Sequence, residues 1–114
     1  MMKHPLEKHL LDRYIDTASR SPHPKHKHVA IVFKKGELVT WATNTHYEHA
    51  ERRAVAIANM YGYKKGLCII SIAINKANKL KLGKPCPPCY TYCKKHGVTE
   101  VFYSTNKQTI DKLK

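Results

Sequence analysis

The apolar positions of the chain change period several times, and each change marks an element. Leu6, Leu10, Leu11, Tyr14, Ile15 and Ala18 recur at steps of three and four, one face of an amphipathic helix over residues 6–20. Ser21-Pro22-His23-Pro24 ends it, and Lys25-His26-Lys27-His28 reads as a basic, His-rich loop placed near a polyanionic substrate. A second metal site there would lack Cys or acidic neighbours. Val29–Phe33 and Leu38–Ala42 are short strand-like runs joined by Lys34-Lys35-Gly36-Glu37, which predicts a hairpin. Ala54, Val55, Ile57, Ala58 and Met60 cover more than half the circumference of the next segment, so a buried helix is expected there, ended by Gly62.

Leu67–Ile74 is almost continuously apolar, the pattern of a central strand covered on both faces. A polar linker, Asn75 to Lys84, precedes a helix over residues 87–96 closed by Gly97. Glu100–Ser104 forms the last predicted strand, and the polar tail has modest helical character. Helix, hairpin, helix, strand, helix, strand is an order that builds a mixed sheet with helices on its faces. At 114 residues the chain is expected to form one domain, residues 1–114.

Composition narrows the class. No apolar run approaches the eighteen or so residues of a membrane span, so no membrane partner is expected. Met1–His9 carries charges where a secretion signal needs an apolar core, which points to a cytoplasmic, intracellular protein. Three of the four Cys fall between Cys86 and Cys93, a spacing that suits metal better than a disulfide framework. The net charge is +13, and no acidic residue lies between Glu51 and Glu100. Such a field favours a nucleotide or single-stranded nucleic acid as partner over a merely solvated basic surface.

Two segments carry chemistry. His49-Ala50-Glu51 opens one predicted helix, and Pro85-Cys86-Pro87-Pro88-Cys89 opens another. His49, Cys86 and Cys89 supply three ligands for Zn2+, leaving one tetrahedral position for water. At a helix entry the backbone is only half committed, so His49 and Glu51 can converge although they are two residues apart. Thiolates at a helix N-terminus are favoured by the macrodipole, and Pro87 and Pro88 fit a first turn whose N–H groups have no partner. Cys93 lies roughly 10 Å from Cys86 along a helix, too far to share an ion with Zn–S bonds of about 2.3 Å. Cys93 and Cys68 are therefore expected in the core and His96 on the surface. Glu51 in a first turn would ordinarily complement the helix dipole; beside a zinc ligand it is expected to be catalytic. It would take a proton from metal-activated water and return protons to the departing group.

The ordered pair H-A-E followed by P-C-P-P-C resembles the cytidine/deoxycytidylate deaminase superfamily, zinc-dependent nucleobase deaminases. The resemblance implies a three-layer α/β/α fold with a mixed sheet, and zinc held by His49, Cys86 and Cys89. It also implies Glu51 as proton shuttle, Asn44 hydrogen-bonding the sugar, and the Ala50 backbone meeting the edge of the base. Relatives with His as first ligand act on phosphate-bearing substrates, which agrees with the charge. The Ser-Trp-Ser-Pro-Cys stretch of vertebrate antiviral polynucleotide deaminases is replaced by Leu82-Gly83-Lys84-Pro85-Cys86. The chain stops nine residues after Thr105, where many relatives have another strand and helix, so a minimal C-terminus is expected and homo-oligomer formation stays open. The expected function is hydrolytic deamination of a cytosine-type base on a nucleotide. Two alternatives are deamination of cytosine or adenosine within single-stranded DNA or RNA, and a non-catalytic zinc-containing nucleic-acid-binding domain.

Overall fold

The computed structural model describes residues 8–113. Leu6 of the first predicted helix lies outside them. Helix α1 spans Lys8–Ser19, strands β1 and β2 span Lys27–Lys34 and Glu37–Thr43, and helix α2 spans Ala50–Met60. Strand β3 (Leu67–Ile74), the two-residue β4 (Leu80–Lys81), helix α3 (Pro87–Lys95), β5 (Val98–Ser104) and β6 (Ile110–Lys112) complete the order. The β1–β2 hairpin closes through Lys35 and Gly36, with φ of 52° and 80°. Two successive positive φ values make the tight turn whose twist matches paired strands.

The sheet runs β2-β1-β3-β5-β6, with β4 pairing the end of β3. Only β3 and β5 are parallel, joined through α3; every other pair is antiparallel. Alternation along the strands sorts side chains onto two faces. Ala30, Val32, Leu67 and Ile69 pack with Ala54, Val55 and Ala58 of α2 and Cys93 of α3. Val29, Ile31, Ile70 and Ile72 face Ala18, Leu11, Tyr14 and Ile15 of α1 on the other side. This is the three-layer α/β/α arrangement with a mixed sheet that the sequence predicts.

Four expectations change. Lys27 and His28 belong to β1 and not to a loop, because the strand extends far enough to pair Lys27 with Ile74 and His28 with Ala73. The tail forms β6, not a helix. A turn through Gln108 (φ 62°) sends it back along β5, and the Gln108 amide exchanges hydrogen bonds of 2.9 and 2.8 Å with the Leu80 backbone. Helix α2 buries only the stripe Ala50, Glu51, Ala54, Val55 and Ala58, while Met60 is exposed. Cys68 is half-buried, since α1 does not fully cover its end of β3. No helix among the described residues is long and apolar enough to cross a membrane.

Candidate metal centre and active site

Helices α2 and α3 carry the predicted ligands, and three contacts fasten the pair over the sheet. The Arg52 guanidinium lies 5.4 Å from the centre of the Tyr92 ring. Asn59 Nδ2 donates to the carbonyl of His96 at 3.1 Å, and Arg53 Nη1 donates to the carbonyl of Thr43 in β2. With the helices so held, their N-termini meet. His49 and Cys86 are the N-cap residues of α2 and α3, both extended (φ −74°, ψ 147° and φ −66°, ψ 158°), and neither side chain caps its own helix. Pro87 and Pro88 fill the first turn of α3, which places Cys89 one turn from Cys86.

The His49 nitrogen and the Cys86 and Cys89 sulfurs all lie within 4.8 Å of one another, the two sulfurs 3.2 Å apart. Donors on one tetrahedral ion at about 2.0–2.3 Å lie roughly 3.3–3.8 Å apart, so small side-chain adjustments would bring these three onto one ion, and one His with two Cys is a set that suits zinc. Burial, then the hydrogen bond shared with Cys86 and the charge of Glu51, push the Cys89 thiol up to about 12. A bound cation would oppose that shift by favouring the thiolate. Cys93 is fully buried in the core and outside the cluster, as expected, and His96 is exposed against the Tyr92 ring.

Glu51 stands beside this corner with 1% of its surface exposed. Its Oε1 is 3.1 Å from His28 Nε2 and 3.5 Å from Ser71 Oγ. His28 Nε2 is also 2.5 Å from Ser71 Oγ, which in turn donates to the carbonyl of Gly83 at 2.6 Å. Burial holds His28 below the usual histidine range, with Glu51 opposing that shift. Ala50, at the first helical position, is fully buried between His49 and Glu51.

Asn44 is buried and knits three segments together. Its Oδ1 accepts from Ser21 Oγ at 2.6 Å and from the backbone N–H of His28 at 3.0 Å; its Nδ2 donates to the carbonyl of His26 at 2.5 Å. A primary amide has two N–H donors, so one remains for a further partner. Beside it lies a hollow of about 260 Å³ walled by His23, His26, His28, Asn44, His46 and His49. A second hollow of about 250 Å³ reaches Glu51 and Cys86 past Lys81, Gly83 and Lys84. The rings of His23 and His46 stack at 5.5 Å, and Lys81 Nζ is 3.4 Å from His26 Nδ1. A larger cavity of about 540 Å³, lined by Tyr14, Phe33 and Trp41, lies on the α1 side of the sheet and touches none of these groups.

His28, Ser71 and Gly83 are the site residues that sequence reasoning missed. One signal was present: Ser71 is the lone hydroxyl in an otherwise apolar strand, and a buried hydroxyl needs a partner.

No protein-family model and no curated protein matches the chain. Among solved structures, a cytidine deaminase from Burkholderia pseudomallei superposes with a TM-score of 0.71 at 18% identity, over 95% of this chain and 92% of that one. A cytidine deaminase from Mycobacterium leprae gives 0.57 at 16% identity, covering 89% and 87%. A diaminohydroxyphosphoribosylaminopyrimidine deaminase/5-amino-6-(5-phosphoribosylamino)uracil reductase from Thermotoga maritima gives 0.61 at 20%, covering 82% of this chain and 27% of that one. The chain has the cytidine deaminase fold.

Proposed function

We propose that this protein is a zinc-dependent hydrolytic deaminase acting on a cytosine-type base carried by a nucleotide. The observation that carries the reading is the convergence of His49, Cys86 and Cys89 within 4.8 Å, beside a Glu51 carboxylate that is 1% exposed. A buried carboxylate next to metal donors has a task in hydrolysis and none in a purely structural zinc site. Zinc held by those three residues supplies Lewis acidity, lowering the pKa of water toward 7.

Glu51 accepts the proton lost by the attacking water and passes protons to the ring nitrogen and the departing amine, so that addition at the amino-bearing carbon ends in loss of ammonia. Its burial strengthens each of these transfers by excluding competing water. Ala50 presents its backbone to the base edge, and the free Nδ2 hydrogen of Asn44 reaches the sugar. Lys81, Lys84 and the His26 ring at the mouth favour a phosphate.

A second reading, deamination within single-stranded DNA or RNA, is favoured by one feature. Tyr47 is 95% exposed at the rim, next to the His46 ring, where a flanking base can stack. Ammonia release from dCMP, CMP, cytidine, adenosine and single-stranded DNA separates the two. Turnover of the polymer in preference to any monomer would replace the first reading with the second. No release from any member, with zinc bound, would leave the non-catalytic nucleic-acid-binding alternative.

A further inference from the structure

Glu51 is not simply buried; one of its two oxygens is pinned. We infer that His28 is a positioning residue whose Nε2–H, shared between Ser71 Oγ and Glu51 Oε1, orients the Glu51 carboxylate for proton transfer. The inference rests on the deaminase reading for its kinetic consequence but not for its hydrogen bonding.

The Gly83 carbonyl can only accept, so at 2.6 Å the single hydroxyl hydrogen of Ser71 is committed to it. Ser71 Oγ then has only lone pairs to offer His28 Nε2 at 2.5 Å. An ionised Glu51 likewise only accepts, and its Oε1 is 3.1 Å from the same nitrogen. Two acceptors facing one ring nitrogen require that nitrogen to carry the hydrogen.

The consequence is directional. Oε1 of Glu51 faces a donor and is a poor place for an incoming proton. The proton is therefore received and returned at the other oxygen, Oε2. His28 reaches this position because the even-numbered residues of β1 face α2, as Ala30 and Val32 do. Ser71 reaches it from β3, the strand paired with β1. Gly83 completes the relay at a point where nothing larger fits: an added Cβ would lie 2.7 Å from Ser104 Oγ and 2.8 Å from the Ser71 carbonyl. The relay therefore also ties the Glu51 support to the segment that delivers Cys86.

The test combines imidazole nitrogen NMR on zinc-loaded protein with the kinetics of two variants. The His28 signal, assigned by its loss in His28→Gln, is expected to show the hydrogen on Nε2; a neutral ring with its hydrogen on Nδ1 overturns the inference. In the kinetics, His28→Leu should lower kcat about 10–100-fold with KM little changed and zinc content intact. His28→Gln, which keeps an amide donor at similar reach, should restore most of that loss. Wild-type kcat in His28→Leu, or an equal deficit in both variants, overturns the assignment. Should His28→Leu fail to fold, Ser71→Ala provides the second comparison: it removes the oxygen that anchors the His28 ring and should lower kcat while retaining zinc, and an unchanged kcat counts against the relay. If the wild-type protein releases no ammonia from any substrate, the deaminase reading falls, while the NMR result still decides whether His28 donates to Glu51.

Discussion

His49 and Cys86 hold equivalent places on two helices: each is the N-cap, each is extended, and neither side chain bonds the helix it precedes. A capping Ser or Asn typically adds about 1 kcal/mol, and both helices forgo it so that imidazole and thiol can meet Cys89. This arrangement gives up local stability for a cluster that could hold a metal ion. Cys86→Ser should therefore lose zinc, while the metal-free variant is as stable as the metal-free parent or up to about 1 kcal/mol more so, because the serine hydroxyl can accept from the Cys89 N–H. Metal analysis and urea unfolding check both halves. Retained zinc in the variant contradicts the ligand assignment. For the parent, chelation should lower the melting temperature by roughly 10–20 °C, the size expected when a ligand near a thousandfold above its Kd is removed from a domain of this length.

Gly83 threads between β3 and β5 where the Ser104 side chain replaces strand pairing, accepting from the Ala73 N–H at 3.0 Å and donating to the Lys81 carbonyl at 2.7 Å. Gly83→Ala should destabilise the fold by about 1–3 kcal/mol through overpacking against backbone that cannot yield. The shift should appear as a lower urea midpoint with an unchanged slope. A neutral substitution would mean that the segment before Cys86 is free to move.

Acid sensitivity follows from His28. Its folded-state pKa is lowered, first by burial, against about 6.5 in an unfolded chain. Above about 6.5 neither state holds a proton there and the contribution is fully present. As pH falls below that value the unfolded chain takes up a proton that the folded chain refuses, so stability declines until the folded pKa is passed. Metal-free protein should show a urea midpoint that is level from pH 8 to about 6.5 and falls toward pH 5. His28→Gln should flatten that fall; an identical slope would show that His28 does not titrate as its burial requires.

Much of the fold was legible because it is written in local patterns. The apolar run Leu67–Ile74 is a strand buried on both faces, and the helix entries at His49 and Cys86 were visible from residue type and spacing alone. The cluster of His49, Cys86 and Cys89 was legible for the same reason: its members sit at helix starts that short motifs announce. His28 and Ser71 were not, because their role depends on strand pairing between distant segments and on which face each residue takes. Strand β6 escaped as well, since Ile110-Asp111-Lys112 has no alternating pattern of its own and is held by the Phe102–Lys112 register and the Gln108 side chain.

The charge makes a separate prediction. Lys81 and Lys84 line the entrance to Glu51, in a stretch without acidic residues. If a single strand occupies that entrance, log affinity should fall with log salt with a slope of about −0.7 for each phosphate contacted. A flat response removes the polynucleotide reading and leaves the nucleotide one.

The central claim is that Glu51 moves protons beside a zinc held by His49, Cys86 and Cys89. Its most direct test is ammonia release by zinc-loaded wild-type protein and by Glu51→Gln, measured side by side on the same nucleotide and polynucleotide substrates with zinc content determined in both. The account predicts release by the wild type from at least one substrate and a loss of about 10²–10⁴-fold or more in the variant, with zinc retained. Release that survives removal of the carboxylate, or no release by fully loaded wild type, would contradict it.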